Sequence, residues 1–377
     1  MATATKAKVV APKKKSDAIG WGVVGCGNIG PWHAEAVSLA KGAELVAICD
    51  VIPERGKALA DRWGVKDVYT SMDAMLRQES VQAVSICTPS GMHAEHGITA
   101  ALAGKHILCE KPMDIELAKI DALIAAAAEN NVKLAGIFQR RTYEASQQVR
   151  EAVQTGKLGK LVLGDCYQKY FRSHEYYASG AWRATWELDG GGALMNQGVH
   201  GIDLLLYIMG NVKRLSAYAR RIVRNIAVED TAVAILEFVN GACGVIEGTT
   251  SVTPGYGCKI EVSGDDGTIV LDEATITRWD VPGVEQPMIS GATESEGTAA
   301  DPLAGLAVAG HVRHVEDLVD AIRTNREPAI GGKEARRAVE VIKAIYKSSR
   351  DGGSAVELPL SYEDDGPGIE PSGYVEW

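Results

Sequence analysis

Between residues 18 and 139, short continuous apolar runs alternate with segments of helical period. The runs are 19–25, 44–49, 81–87, 106–109 and 133–138, and the alanine-rich segment 116–130 is the clearest intervening helix. A strand covered on both faces shows no polar alternation, and strands separated by helices pair in parallel, so this half predicts a doubly wound α/β domain with a parallel sheet. From about Arg140 the texture changes. Residues 158–170, 213–223, 231–238, 244–251, 259–263 and 268–271 read as successive strands, and Asn240-Gly241 and Asp266-Gly267 are hairpin-type turns. This half predicts an α+β domain with a large open, mostly antiparallel sheet and helices near 191–209, 308–324 and 333–348. Residues 281–305, rich in Gly, Pro, Ser, Thr and Ala, read as an irregular excursion. The expected organisation is a disordered tail (1–17), a first domain (18–139), a second domain (140–360) and an extended, acidic C-terminal arm (361–377).

Composition narrows the function classes. The 377 residues carry a formal net charge of −10, which gives no global attraction for nucleic acid or an anionic membrane. The apolar run 204–209 is far too short to span a bilayer. Residues 1–17 hold five lysines but no apolar core, so they do not read as a secretory signal. The seven cysteines form no CxxC pair, and small buried hydrophobes in a reducing cytoplasm are the expectation.

The first chemistry-bearing motif is Gly25-Cys26-Gly27-Asn28-Ile29-Gly30, which follows an apolar strand and opens a helical pattern. Gly25 suits a tight turn, Gly27 lets backbone approach a diphosphate, Gly30 permits close helix–strand packing, and the helix N-terminus directs N–H groups at the phosphates. Asp50 ends the next strand, twenty residues after Gly30, where a carboxylate accepts hydrogen bonds from a ribose diol and repels a 2′-phosphate. The pattern therefore favours NAD over NADP, although Arg55 lies close enough to soften the preference. His93 and His96 follow Thr88-Pro89 without a third ligand nearby, and His174-Glu175 lacks a second histidine, so no metal site is predicted.

At Glu110-Lys111-Pro112 the chain resembles the Gfo/Idh/MocA oxidoreductases, the glucose–fructose oxidoreductase and inositol dehydrogenase group. Thr88-Pro89, Gln139-Arg140, Gly156-Lys157-Leu158-Gly159 and Gly190-Gly191-Gly192-Ala193-Leu194 leading to Gly198-Val199-His200 and Asp203 extend the likeness over nearly all of 19–360. The resemblance implies a Rossmann domain followed by an open-sheet domain that supplies substrate contacts and, commonly, a dimer interface. It implies cofactor contacts from Gly25, Gly27, Asn28, Ile29, Gly30, Asp50, Arg55, Thr88, Pro89, His93, Glu110, Lys111 and Gln139.

Oxidising a secondary alcohol sends a hydride to the nicotinamide and a proton to a base, a role suited to a histidine titrating near neutrality. Asn196, His200 and Asp203 share one face of a helical run. Family members often carry aspartate where Asn196 stands, so His200 is left as the sole base, with Asp203 a candidate to orient it. Lys111 would stabilise developing alkoxide charge. Tyr170, Arg172, His174, Tyr176, Trp182, Arg183 and Trp186 form an aromatic-and-basic cluster suited to sugar rings. Of these, Tyr170, Trp182 and Arg183 join Asn196 and His200 as the expected substrate contacts. The expectation is a cytoplasmic, homodimeric or homotetrameric NAD-dependent dehydrogenase of a sugar, a sugar derivative (a nucleotide sugar or glycoside at C3) or a cyclitol. Two alternatives stay open: an NAD-dependent glycoside hydrolase with a transient oxidation and elimination cycle, and a non-catalytic dinucleotide-binding regulator.

Overall fold

The computed structural model describes residues 17–287 and 308–366. The first half contains β1 (Ile19–Val24), α1 (Gly30–Leu39), β2 (Ala43–Cys49), α2 (Pro53–Trp63), β3 (Asp67–Tyr69), α3 (Met72–Leu76), β4 (Ala83–Ile86), α4 (His93–Leu102), β5 (His106–Cys109), α5 (Leu117–Glu129) and β6 (Leu134–Gly136). The six strands pair in parallel in the order β3-β2-β1-β4-β5-β6. Every residue of β1 and β4 is buried, which is why neither shows polar alternation. The strand order reverses between β1 and β4, so the loops leaving these two strands flank a crevice at the carboxyl edge of the sheet. The short edge strand β3 has no apolar run to announce it; pairing with β2 defines it.

The second half contains α6 (Glu144–Gln154), β7 (Leu161–Lys169), α7 (His174–Ala178), α8 (Val199–Met209), β8 (Val212–Arg220), β9 (Thr231–Phe238), β10 (Cys243–Thr249), β11 (Cys258–Gly264), β12 (Thr268–Asp272), β13 (Thr275–Asp280), α9 (Val308–Thr324), α10 (Gly332–Arg350) and β14 (Val356–Glu357). Its eight strands run in the order β13-β12-β11-β7-β10-β9-β8-β14. All neighbours are antiparallel except β7 and β10, which are parallel. The alternating burial of β8 and β9 puts one face against the α8 and α10 core, with Leu215, Ala217, Leu236, Leu205 and Ile342 buried. Tyr218, Val233 and Ile235 lie on the opposite, exposed face. The edge strands β13 and β14 were not expected from the sequence, because neither carries an apolar run.

Helix α9 falls within the 140–360 segment yet covers the parallel sheet. Its Val315, Leu318 and Val319 share a buried cluster with Trp21, Val37, Leu108 and Ile137. The chain thus returns to its first sheet after building the second. The described part of the C-terminal segment is docked rather than projecting. Leu117 N donates to Asp365 Oδ2 at 2.5 Å, and Lys343 pairs with Asp365 at 2.9 Å. Most of the N-terminal tail, residues 288–305 of the excursion and residues 367–377 of the arm lie outside the described residues.

A buried ion pair ties the turn after β6 to α8 and α10. Arg141, in the 3₁₀ turn Gln139–Thr142 after β6, donates Nε and Nη2 to both oxygens of Asp203 on α8 at 2.7 and 2.6 Å, and its Nη1 meets Glu334 on α10 at 3.0 Å. Asp203 is therefore committed to Arg141, not to His200. Removing one member of a buried pair strands the other charge, so Asp203→Ala should lower the unfolding free energy by about 3–5 kcal/mol, read by urea denaturation.

Candidate active site

The glycine turn is shaped by backbone proximity. Gly25 adopts φ +93°, and a Cβ there would lie 2.6 Å from the Cys87 carbonyl oxygen; one on Gly30 would lie 2.1 Å from the Gly25 oxygen. Both glycines are needed to seat the turn against β4 and α1. A Cβ on Gly27, by contrast, would meet nothing within 4 Å. Gly27 and Asn28 are exposed at the crevice, leaving open space beside the first turn of α1 where a diphosphate can approach backbone N–H groups. Asp50 tightens this cradle. Its Oδ2 accepts from Cys26 N at 2.6 Å and its Oδ1 from Ile52 N at 2.8 Å, which holds the acid at the end of β2 beside the turn. Ile29 is half-buried and Arg55 is exposed on the first turn of α2. The residues present fit a dinucleotide.

Across the crevice, Thr88 and Pro89 are half-buried after β4, and Thr88 Oγ1 lies 3.1 Å from His96 Nδ1. Two sequence candidates point away from the cleft. His93 is buried with its Nδ1 2.7 Å from the Pro112 carbonyl and its Nε2 2.8 Å from the Thr88 carbonyl, so neither ring nitrogen is left for a ligand. It ties the loops after β4 and β5 together. Glu110 is turned inward as well. Its Oε2 accepts from Lys111 N at 3.0 Å, and its Oε1 lies 2.8 Å from His33 Nε2 on α1 and 3.6 Å from His311 Nε2 on α9. Burial would raise the Glu110 carboxyl pKa; the two imidazoles outweigh it and hold the group well below the usual range. Burial pushes His33 down, so a neutral imidazole donates Nε2–H to a carboxylate. Donor atoms of these three residues lie within 4.8 Å of one another. The 2.8 Å His33–Glu110 spacing is a hydrogen-bond length, shorter than the roughly 3.3 Å between two ligands of a tetrahedral zinc.

Lys111 crosses the gap between the domains, its Nζ donating to the main-chain carbonyl of Asn196 at 2.9 Å. Residues Ala193–Gly198 form a widened π-type turn that runs into α8. Glu229 fastens the start of that turn by accepting from Gly192 N and Leu194 N, both at 2.9 Å, and from Tyr346 Oη at 2.8 Å. His200 follows in the first turn of α8, edge-on to Phe138 with ring centroids 5.9 Å apart. Its Nδ1 is buried without a partner among the described residues. Burial, then the charges of Lys111 and Arg140, hold the His200 pKa well below its ordinary value. The ring is neutral at neutral pH and has a lone pair to accept a proton.

The wall of the cleft differs from the sequence expectation in two residues. Tyr170 is a buried core side chain whose hydroxyl meets Arg140 Nη2 at 3.4 Å, so it lies behind the cleft rather than in it. Asp189 has no role in the sequence reading. It is buried and accepts from Asn196 Nδ2 at 2.6 Å and from Ala184 N at 2.8 Å. Burial raises its carboxyl to about 6. The only sequence signal for it is an acid placed directly before three glycines. Trp182 and Arg183 are half-buried and mutually stacked at 4.8 Å, and Arg183 Nη1 donates to Tyr176 Oη at 2.7 Å. Gln139 is buried at the start of the 3₁₀ turn after β6, with its Oε1 unpartnered among the described residues.

Comparison with known proteins agrees with this architecture. A profile described as oxidoreductase family, NAD-binding Rossmann fold, matches residues 19–138, and one for the GFO/IDH/MocA C-terminal domain matches residues 146–270. Myo-inositol 2-dehydrogenase of Thermotoga maritima is 32% identical over 70% of this chain and 78% of its own length. D-glucoside 3-dehydrogenase of Escherichia coli K12 is 30% identical over 58% of this chain and 66% of its own. The WlbA dehydrogenase of Bordetella pertussis, solved with NADH and UDP-GlcNAcA, superposes with a TM-score of 0.80 at 32% identity, over 91% of this chain and all of that one. With its glycine turn, its strand-end lysine and its two-sheet architecture, this chain belongs to the GFO/IDH/MocA family of NAD-binding oxidoreductases.

Proposed function

We propose that this enzyme oxidises a secondary hydroxyl of a sugar, a sugar derivative or a cyclitol, with His200 as the base and Lys111 as the cation beside the reacting oxygen. The observation that carries the reading is the 2.9 Å contact of Lys111 Nζ with the Asn196 carbonyl, which brings a first-domain ammonium to the element bearing His200. Bound NAD supplies the hydride acceptor. Lys111 holds the substrate oxygen and stabilises charge as it develops, and His200 takes the hydroxyl proton. A neutral imidazole beside Lys111 suits this division, because a base must start without its proton. Trp182 offers a ring face to the substrate, and Arg183 and Tyr176 offer donors to its hydroxyls or acidic groups. The names of two relatives, a myo-inositol 2-dehydrogenase and a D-glucoside 3-dehydrogenase, and the UDP-GlcNAcA bound to the WlbA dehydrogenase support a pyranose or cyclitol ring, with C3 of a glycoside or nucleotide sugar as the favoured carbon.

Two further features belong to this reading. The exposed face with Tyr218, Val233 and Ile235 suits burial against a second copy, in a homodimer or homotetramer. No helix among the described residues is long and apolar enough to cross a membrane, which fits action on a polar metabolite in the cytoplasm.

Purified protein supplied with NAD and a panel of glycosides, nucleotide sugars, free sugars and cyclitols should produce NADH with at least one of them. Release of free sugar from nitrophenyl glycosides with no net NADH would overturn the proposal in favour of a hydrolase. On the confirmed substrate, Lys111→Ala and His200→Ala should each lower kcat by roughly a hundredfold or more. Lys111→Met removes a positive neighbour, so the His200 imidazole pKa should rise, read by histidine NMR titration. Asp50→Ala removes the support of the Cys26 amide and the ribose partner together, and should weaken NAD binding by about tenfold or more.

A further inference from the structure

One wall of the cleft carries a row of side chains joined end to end. Arg172 Nη2 donates to Gln197 Oε1 at 2.8 Å, Gln197 Nε2 donates to Asn196 Oδ1 at 2.9 Å, and Asn196 Nδ2 donates to Asp189 Oδ1 at 2.6 Å. The second hydrogen of Gln197 Nε2 goes to Tyr176 Oη at 2.7 Å. An amide has almost the same shape after a half-turn that exchanges its oxygen and nitrogen, so packing alone leaves Asn196 and Gln197 either way round. The two ends of the row remove that freedom. A guanidinium has donors only and a carboxylate has acceptors only. Arg172 requires the oxygen of Gln197, which turns the Gln197 nitrogen toward Asn196. Asp189 requires the nitrogen of Asn196, which turns the Asn196 oxygen toward Gln197. The two demands meet without conflict in the middle.

We propose that Asp189 is a positioning residue that, opposite Arg172, sets the direction of this hydrogen-bonded row and so decides which atoms of Asn196 and Gln197 a substrate hydroxyl meets. The inference rests on the reading of this cleft as the substrate site. Asp189 is built as a fixed end. It is 2% exposed, its second oxygen is held by Ala184 N, and the preceding carbonyl, that of Leu188, accepts from Gly91 N of the first domain at 2.9 Å. A Cβ on Gly91 would come within 2.6 Å of the Glu187 carbonyl oxygen, so this interdomain approach depends on glycine. Asn196 also presents the carbonyl that anchors Lys111. Asp189 thus acts on the residue at which substrate wall and proposed catalytic lysine meet. With its carboxyl raised only to about 6, it is the acceptor-only anion at neutral pH and above.

The test changes the end of the row. Asp189→Asn puts a donor beside the Asn196 nitrogen, so the row loses its acceptor-only end and Arg172 alone still favours one direction. In protein labelled with ¹⁵N at asparagine and glutamine side chains, the wild type should show single, slowly exchanging NH₂ resonances for Asn196 and Gln197. The variant should exchange them roughly tenfold faster or show them doubled, and kcat/KM on the wild-type substrate should fall roughly tenfold or more while NAD affinity holds. The exchange variant Asp189→Asn/Asn196→Asp puts the acceptor-only group where Gln197 Nε2 already points. It should restore single, slowly exchanging resonances for Gln197, and because it replaces an expected substrate contact the readout is the exchange rate and not turnover. Wild-type exchange and turnover in Asp189→Asn, or doubled and rapidly exchanging Gln197 resonances in the double variant, would overturn the inference. If Asp189→Asn loses NAD binding through misfolding, the double variant decides. A wild type inactive on every sugar and cyclitol would instead count against the dehydrogenase reading, and side-chain exchange would still report on the row.

Discussion

The hydrogen bond from Lys111 Nζ to the Asn196 carbonyl is the contact on which the arrangement turns. It is made by a side chain at the end of a parallel strand and a main-chain oxygen in a turn of the second domain. Neither half alone contains the site. The chain secures the contact from several sides. Gly91 donates to Leu188 across the junction, the buried Arg141–Asp203 pair joins the end of β6 to α8, and Glu229 holds the first N–H groups of the turn that bears Asn196. Each is a hydrogen bond or ion pair to a group that burial would otherwise leave unsatisfied, so losing one costs desolvation as well as contact.

Burial also sorts the proton states around the cleft. Glu110 stays ionised despite its depth because His33 and His311 face it, while His200 is driven to its neutral form by burial and by the charges of Lys111 and Arg140. Asp189 and Glu229 are pushed up to about 6 and about 7, and each remains held by backbone and side-chain donors. A positive lysine, a neutral histidine and an anionic carboxylate behind an amide coexist within one small region. That charge pattern suits the proposed alcohol oxidation.

Much of this was legible in the chain. Continuous apolar runs, a glycine turn and an acid twenty residues on announce a parallel sheet with a dinucleotide crevice, because buried strands and tight turns constrain residue type locally. The succession of strands after residue 140 was also readable, since hairpin turns and alternation are local signals, but their order in the sheet and the parallel pairing of β7 with β10 were not. What escaped was set by partners distant in sequence. Strands β3, β13 and β14 are edges without an apolar run and are defined by pairing, and α9 covers the first sheet although its position in the chain suggests the second.

The site divides along the same line. Residue type alone marked Lys111, Asn196 and His200 as chemistry-bearing and Gly25, Gly27 and Gly30 as a backbone cradle. Side-chain direction was decided only by the fold: it turned Glu110 and His93 inward, seated Tyr170 in the core, tied Asp203 to Arg141 and brought Asp189 behind Asn196. A sequence specifies which groups are able to donate, accept or ionise. Which of them meet, and which face the ligand, depends on long-range packing that places residues seven or two hundred positions apart within hydrogen-bond reach.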